Sequence, residues 1–208
     1  MTPKRGFLIT IEGIEGAGKS TLAEALAQYY GARGCEIVLT REPGGTRIGD
    51  AIRNLLLTDG KEMSDRTELL LFEAARAQHV DELIRPGLAR GAVVICDRFS
   101  DSSLAYQGHA RGFGLSGVQT LNDFAAKALK PDVTLLLDLP VNISLARQKG
   151  LDRISSQGLA FHESVRKGYL SLAEAEPQRI KVIDALQDIE TVLRQALEAV
   201  RAALAEAT

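Results

Sequence analysis

Five short apolar runs punctuate the chain: Phe7–Glu12, Glu36–Thr40, Ala92–Cys96, Val133–Leu137 and Ile180–Ile183. They are nearly continuous rather than alternating, which predicts strands covered on both faces of a parallel sheet. Helix-favouring stretches lie between them. Ser20–Arg33 is rich in Ala and Leu and follows a glycine loop. Asp65–Arg90 is long, and Pro86 is expected to kink or end it. Val118–Leu129 and Ala160–Ala175 are further helical candidates. In the last segment Ile189, Val192, Leu193, Ala196, Leu197, Val200 and Leu204 recur at three- and four-residue spacing, the mark of an amphipathic helix. Strands alternating with helices predict an α/β fold, a doubly wound five-stranded parallel sheet with helices on both faces. Two polar, glycine-containing stretches, 108–117 and 148–158, are expected to be loops. No repeat, low-complexity tract or linker interrupts the pattern, so residues 1–208 are expected to form a single domain.

Composition narrows the class. The hydrophobic share of 45% and charged share of 25% belong to a globular chain rather than a disordered one. A formal net charge of -2 argues against a surface built for nucleic acid or acidic membrane. The apolar run near the start, from Phe7 to Ile11, is too short for a signal-peptide core, and no segment approaches the length of a membrane span. Cys35 and Cys96 show no spacing for a metal or a disulfide framework, and Cys96 reads as core. A soluble cytoplasmic protein is expected. Among 25 basic residues, 17 are Arg and 8 are Lys. That balance hints at bidentate recognition of phosphate or carboxylate.

The first chemistry-bearing motif is Gly13-Ile14-Glu15-Gly16-Ala17-Gly18-Lys19-Ser20, which fits G-x-x-x-x-G-K-[ST]. It follows a predicted strand and opens a predicted helix. Its glycines let successive backbone N–H groups wrap phosphate oxygens, and the helix N-terminus adds a favourable dipole. Lys19 can reach the β- and γ-phosphates, and the Ser20 hydroxyl can ligate Mg²⁺. A regulatory GTPase should carry Asn-Lys-x-Asp, which is missing. A small phosphotransferase remains, and it needs a second site for the acceptor.

Candidates for that site follow the strands. Asp97-Arg98 ends the third predicted strand, where ligands of open α/β sheets bind. Asp97 can hold Mg²⁺ or its waters, and Arg98 an acceptor phosphate. Arg41 or Arg53, around the Pro43-Gly44-Gly45 turn, can reach the same phosphate. Phe72 and Arg76 share a helix face and can hold a planar base by stacking and hydrogen bonding, although a Phe after Leu69-Leu70-Leu71 equally suits the core. His79, a turn further on, reads as a structural hydrogen-bonder. Ser103, Tyr106 and Gln107 can read base and sugar edges, or else start a helix with Ser100 or Asp101 as its cap. The charged stretch 148–153 is a lid or a solvated loop.

These motifs in this order resemble the bacterial thymidylate kinases. The similarity runs from about Phe7 to Asp184 and is carried by I-E-G-I-E-G-A-G-K-S-T, R-E-P-G-G-T, L-L-F-E-A-A-R-A-Q-H, D-R-F-S-D-S-S-L-A-Y-Q-G and L-D-R-I. The resemblance implies a P-loop kinase fold with a short lid at about 148–158, and transfer of phosphoryl from MgATP to dTMP, a step toward dTTP. It implies that Gly13 to Thr21 hold ATP phosphates, with Lys19 central, Ser20 and Asp97 on Mg²⁺, and Arg147 packed against adenine. Phe72 would stack on thymine and Arg76 bond its carbonyl. Ser103 would lie near the base edge, Tyr106 near the sugar where it disfavours a 2′-hydroxyl, and Gln107 near the same pocket. Arg98 and Arg53 would hold the dTMP phosphate. Arg153 would be the lid arginine at the transferred phosphoryl, supplying a charge that the Glu15 position of the loop lacks. A homodimer through long helices, suited to the apolar Leu69–Leu71 stretch, is implied as well. Three departures stand out: Asp50 where Glu is usual, Ser155 where an acidic residue is common, and His109-Ala110-Arg111-Gly112 in place of a more glycine-rich stretch. Arg111 is therefore a weaker parallel, and the short lid leaves the part of Lys149 open.

Overall fold

The structure is a computed structural model that describes residues 6–58, 62–147 and 152–206. Its centre is a five-stranded sheet of β1 (Phe7–Glu12), β2 (Ile37–Arg41), β3 (Val93–Asp97), β4 (Val133–Asp138) and β5 (Ile180–Asp184). The order is β2-β3-β1-β4-β5, and the strand pairs are parallel. Ile11 registers with Asp97 and Leu135, so the carboxyl ends of β1, β3 and β4 finish at one level.

Side chains alternate across the sheet, and both faces are covered. Phe7, Ile9 and Ile11 pack with Ile95, Leu135, Leu22 and Leu26, together with Val192, Ala196 and Val200. On the other face Leu8, Val94 and Cys96 meet Val80, Ile84 and Phe99. This two-sided burial is why the strands read as apolar runs. Each fully buried aliphatic side chain contributes about 1.5–3 kcal/mol.

The helices are α1 (Lys19–Gly31), α2 (Arg47–Leu57), α3 (Asp65–His79), α4 (Arg85–Ala89), α5 (Ser100–Ser103), α6 (Leu115–Ala125), α7 (Val141–Arg147), α8 (Leu159–Ala175) and α9 (Ile189–Glu206). Local chemistry sets several of their starts. Thr46 accepts the Gly49 N–H at 3.0 Å and caps α2, and Ser64 accepts the Thr67 N–H at 3.3 Å and caps α3.

The long helical stretch differs from a single kinked α-helix. A π-helical turn at Val80–Ile84 separates α3 from α4, and Pro86 sits in the first turn of α4. Pro86 has no N–H to add to the ladder, and the π-helical register just before it, with the Arg85 N–H on the Val80 carbonyl, lets the helix run past it. A second π-helical stretch, Leu104–Ala110, follows α5 and occupies part of the expected loop 108–117. Asp101 does not cap that helix; it receives a bidentate ion pair from Arg179 at 2.7 and 2.8 Å. The expected helix 118–129 is shifted to Leu115–Ala125, because Lys127 and Ala128 take positive φ values of 50° and 55° and end it. No described helix is long and apolar enough to cross a membrane.

Candidate active site

The glycine loop joins β1 to α1 with Gly13, Gly16 and Gly18 at φ 136°, 75° and 92°. A Cβ at Gly13 would collide with the Leu137 carbonyl, and one at Gly16 with the Ser144 carbonyl. The loop therefore lies directly on the backbone at β4 and α7, a closeness only glycine allows. The Ser144 hydroxyl donates to the Glu15 carbonyl and ties the loop to α7. Lys19 turns its Nζ back to the Ile14 carbonyl at 2.8 Å. Burial and then Arg98 lower its pKa to about 8. Ser20 Oγ donates to Asp97 Oδ2 at 2.6 Å, joining the loop to the end of β3.

A cavity of about 430 Å³ opens beside this loop. Of the expected residues, Glu15, Gly16, Lys19, Ser20, Arg53 and Phe72 line it. So do Asp97, Arg98, Ser103, Tyr106, Gln107 and Arg147. Arg41 lines it as well, so both arginines offered for the acceptor phosphate stand at its edge. Arg53 donates to the Pro43 carbonyl at 2.8 Å. Burial and then Arg41 lower its pKa. Arg147 donates to the Ala185 carbonyl at 3.0 Å.

Arg98 adopts φ 71° at the exit of β3. Its Nη1 donates to the Gly13 carbonyl at 2.9 Å and its Nη2 to Glu15 Oε1 at 3.0 Å. Tyr106 donates to the same Glu15 oxygen at 2.6 Å, and the Arg98 guanidinium stands 5.2 Å from the centre of the Tyr106 ring. Burial alone would raise the Glu15 carboxyl, but Arg98, His162 and Lys19 hold it well below the usual carboxylate range. Tyr106 and Gln107 belong to the π-helical stretch, whose extra backbone residue aims both side chains inward.

Seven expected residues do not line the cavity: Gly13, Ile14, Ala17 and Gly18 of the loop, of which Ile14 and Ala17 pack into the core, and Arg76, Arg153 and Thr21. Arg76 does not open onto the cavity: its side chain is 1% exposed. Its Nε donates to Glu42 Oε2 at 2.9 Å, its Nη1 to Glu73, Asn122 and Ser103, and its Nη2 to the Phe99 carbonyl. These acceptors occupy it beneath the cavity wall, where it supports Ser103 and Glu42 instead of facing a base directly. Arg153 also stands away from the glycine loop. It donates to the Leu56 carbonyl at 2.9 Å and to Glu68 Oε2 at 2.7 Å. Thr21 is exposed on the first turn of α1 and does not line the cavity. Of the stretch 148–158, Gln148 to Leu151, Lys149 included, lie outside the described residues; Asp152 accepts the backbone N–H groups of Ile154 and Ser155 and shapes the turn there.

Four residues of this region escaped sequence reasoning: Glu12, Glu68, Tyr169 and His162. Glu68 is buried and gathers Gln107, Arg111 and Arg153, so Arg111 belongs to the site's surroundings after all. Glu12 was legible as a charged residue closing an otherwise apolar strand; Tyr169, in the middle of α8, and His162, in its first turn, gave no such sign. His79 is fully buried between Thr40 Oγ1 at 2.7 Å and Glu42 Oε1 at 2.9 Å, the structural bonder its position implied.

The sequence model of the thymidylate kinases matches residues 11–196. The chain belongs to the thymidylate kinase family. A thymidylate kinase of Pseudomonas fluorescens (strain SBW25) is 52% identical over 205 residues, covering 97% of this chain and 97% of that protein. One from Desulfovibrio desulfuricans is 51% identical over 211 residues, 95% of this chain and 96% of its own. The crystal structure of thymidylate kinase from Ehrlichia chaffeensis superposes with a TM-score of 0.77 at 34% identity, covering 95% of this chain and 99% of that one. The kinase is thus a nucleoside monophosphate kinase, a phosphotransferase of dTTP synthesis that phosphorylates dTMP.

Proposed function

We propose that the cavity aligns MgATP and dTMP for in-line transfer of the γ-phosphoryl, giving dTDP and ADP. The observation that carries this reading is the meeting, in one cavity, of the phosphate loop with Arg53, Phe72 and Arg98. The loop amides and Lys19 hold the ATP phosphates, and Arg147 packs along the adenine. Phe72 stacks on thymine, Ser103 and Gln107 take its edge, and Tyr106 closes the sugar side against a 2′-hydroxyl. Arg98 and Arg53 bind the acceptor phosphate. That phosphate is already ionised near neutral pH, so alignment and charge neutralisation carry the catalysis without a general base.

Mg²⁺ fits the residues present. Ser20 and Asp97 offer a hydroxyl and a carboxylate oxygen 2.6 Å apart on the cavity wall. Among the described residues no group of three or more His, Cys, Asp or Glu side chains forms a closed metal cage. This is the donor set of an ion that keeps waters and substrate phosphates as ligands. When bound there, the ion would neutralise charge on the transferring phosphates.

The whole chain acts as one kinase domain in the cytoplasm. Arg153 swings from Glu68 to the transferred phosphoryl as the segment around it closes. Two copies pair through α3 and α6, whose outer faces expose Leu70 and Phe124. An ADP-release assay with ATP and a panel of dTMP, dUMP, dCMP, dAMP, dGMP and thymidine tests the reading. Activity led by dTMP supports it. ADP release that needs no acceptor, or that follows thymidine alone, overturns it.

A further inference from the structure

We propose that Glu12 is a positioning residue for acceptor binding, which holds Arg98 in its working orientation through Ser102, Tyr169 and the Phe99 peptide. The inference rests on the assignment of Arg98 to the acceptor phosphate.

Glu12 ends β1 with no exposed surface. Its Oε1 accepts the Phe99 N–H at 2.7 Å. Its Oε2 accepts the Ser102 hydroxyl at 2.7 Å and the Tyr169 hydroxyl at 2.8 Å. Arg98 Nη1 in turn approaches those same hydroxyl oxygens, at 3.4 Å for Ser102 and 3.2 Å for Tyr169. Each hydroxyl has one proton. With the carboxylate taking both protons, both oxygens turn their lone pairs to the guanidinium. Glu12 thus decides which way two neutral side chains point, although it does not touch Arg98 itself.

The backbone adds a second hold. Arg98 sits at φ 71°, a conformation that costs a residue with a Cβ about 1 kcal/mol or more. Its N–H donates to the Ile11 carbonyl at 2.9 Å, and the next N–H, that of Phe99, is the one Glu12 accepts. Glu12 therefore pins both the peptide that aims Arg98 and the far end of its side chain. A carboxamide cannot do the same. The Phe99 N–H is a fixed donor and claims the amide oxygen, which leaves the NH₂ facing Ser102 and Tyr169. One of their protons can pass between the two hydroxyls, 2.9 Å apart, but the other must then turn toward the Arg98 N–H groups.

Steady-state kinetics at pH 8, where Glu12 is ionised, with ATP and dTMP varied separately test this on the full chain. Glu12→Gln and Tyr169→Phe should each raise the KM for dTMP about tenfold, the scale of one lost charge-assisted hydrogen bond. The KM for ATP should stay within about twofold, since the loop amides are untouched. Tyr169→Phe keeps the ring in the core and carries the test if Glu12→Gln does not fold. In an Arg98→Met background neither substitution should add a further effect, because a residue that acts through Arg98 has nothing left to act on. An unchanged KM for dTMP in the single variants overturns the inference, as does a full additional loss in the Arg98→Met background. If Arg98→Met alone leaves the KM for dTMP unchanged, the assignment of Arg98 fails instead.

Discussion

Arg153 Nη2 meets Glu68 Oε2 at 2.7 Å. The same carboxylate accepts from Gln107 at 2.8 Å and from Arg111 at 3.1 Å. Glu68 is 1% exposed, so it neutralises two guanidinium groups in a nearly dry setting. Without it Arg153 would lose its carboxylate partner and Arg111 would keep only Asp65, at 3.4 Å; on the proposed reading Arg153 finds phosphate oxygens once both nucleotides are bound. Glu68→Gln should therefore destabilise the free enzyme by about 1–3 kcal/mol. It should cost the nucleotide-bound enzyme less, so the rise in melting temperature on adding dTMP with a non-hydrolysable ATP analogue becomes larger than in the wild type. Equal rises in the two proteins would count against Arg153 leaving Glu68. Arg153→Ala should lower kcat about 100-fold or more while the KM for dTMP moves little, as for other cations that act on a transferring phosphoryl.

Phe72 is half-buried, lines the cavity and also touches the core. Contact with the core therefore does not withdraw the ring from the cavity. Phe72→Ala should raise the KM for dTMP by about 10- to 100-fold, from the 1–3 kcal/mol that a base–aromatic stack contributes. The KM for ATP should hardly change. A KM for dTMP at the wild-type level would remove Phe72 from the base site.

The strands, their parallel pairing and the phosphate loop were legible because each has a local signature. Apolar runs mark strands buried on both faces, and the glycine spacing mirrors the positive φ values of Gly13, Gly16 and Gly18. That Arg98, Phe72 and Tyr106 meet in one cavity was legible through the order of whole motifs. The positions of Arg76 and Arg153 were not. Each is set by acceptors distant in sequence: Glu42 and Asn122 in one case, Leu56 and Glu68 in the other. Periodicity identifies which face of a helix a residue occupies, but not which of two acceptors claims its guanidinium. The π-helical turns escaped for a similar reason, since one extra residue per turn leaves too faint a trace in a pattern of apolar spacing.

Lys19 illustrates a residue kept for chemistry at a cost in stability. Burial and Arg98 bring its pKa down from 10.5 to about 8, so folding disfavours its charged form at neutral pH. The hydrogen bond from its Nζ to the Ile14 carbonyl offsets part of that cost. Lys19→Met should abolish measurable turnover and yet stabilise the free enzyme at pH 7 by about 1–2 kcal/mol, read as a higher midpoint in chemical denaturation. A clear loss of stability would mean that the ammonium is better solvated than its surroundings indicate.

Glu12 makes a corresponding prediction along the pH axis. Burial first, and then Asp101, raise its pKa from 4.5 to about 7, against the lowering influence of Arg98, Ser102 and Tyr169. In the folded state the group therefore keeps its proton where the unfolded chain has lost it. Its contribution to stability is fully present below pH 4.5 and is lost as pH rises through about 7. The span corresponds to a loss on the order of 3 kcal/mol. Carboxylates with depressed values, such as Glu15 and Glu68, pull the other way, but their contribution changes only below their unfolded pKa. Denaturation midpoints between pH 5 and 8 should consequently fall in the wild type, with a bend near pH 7, and the bend should be missing in Glu12→Gln. A bend of the same size in both proteins would assign it to another group, with His162, whose pKa is raised despite its burial by the Glu15 carboxylate, the next to substitute.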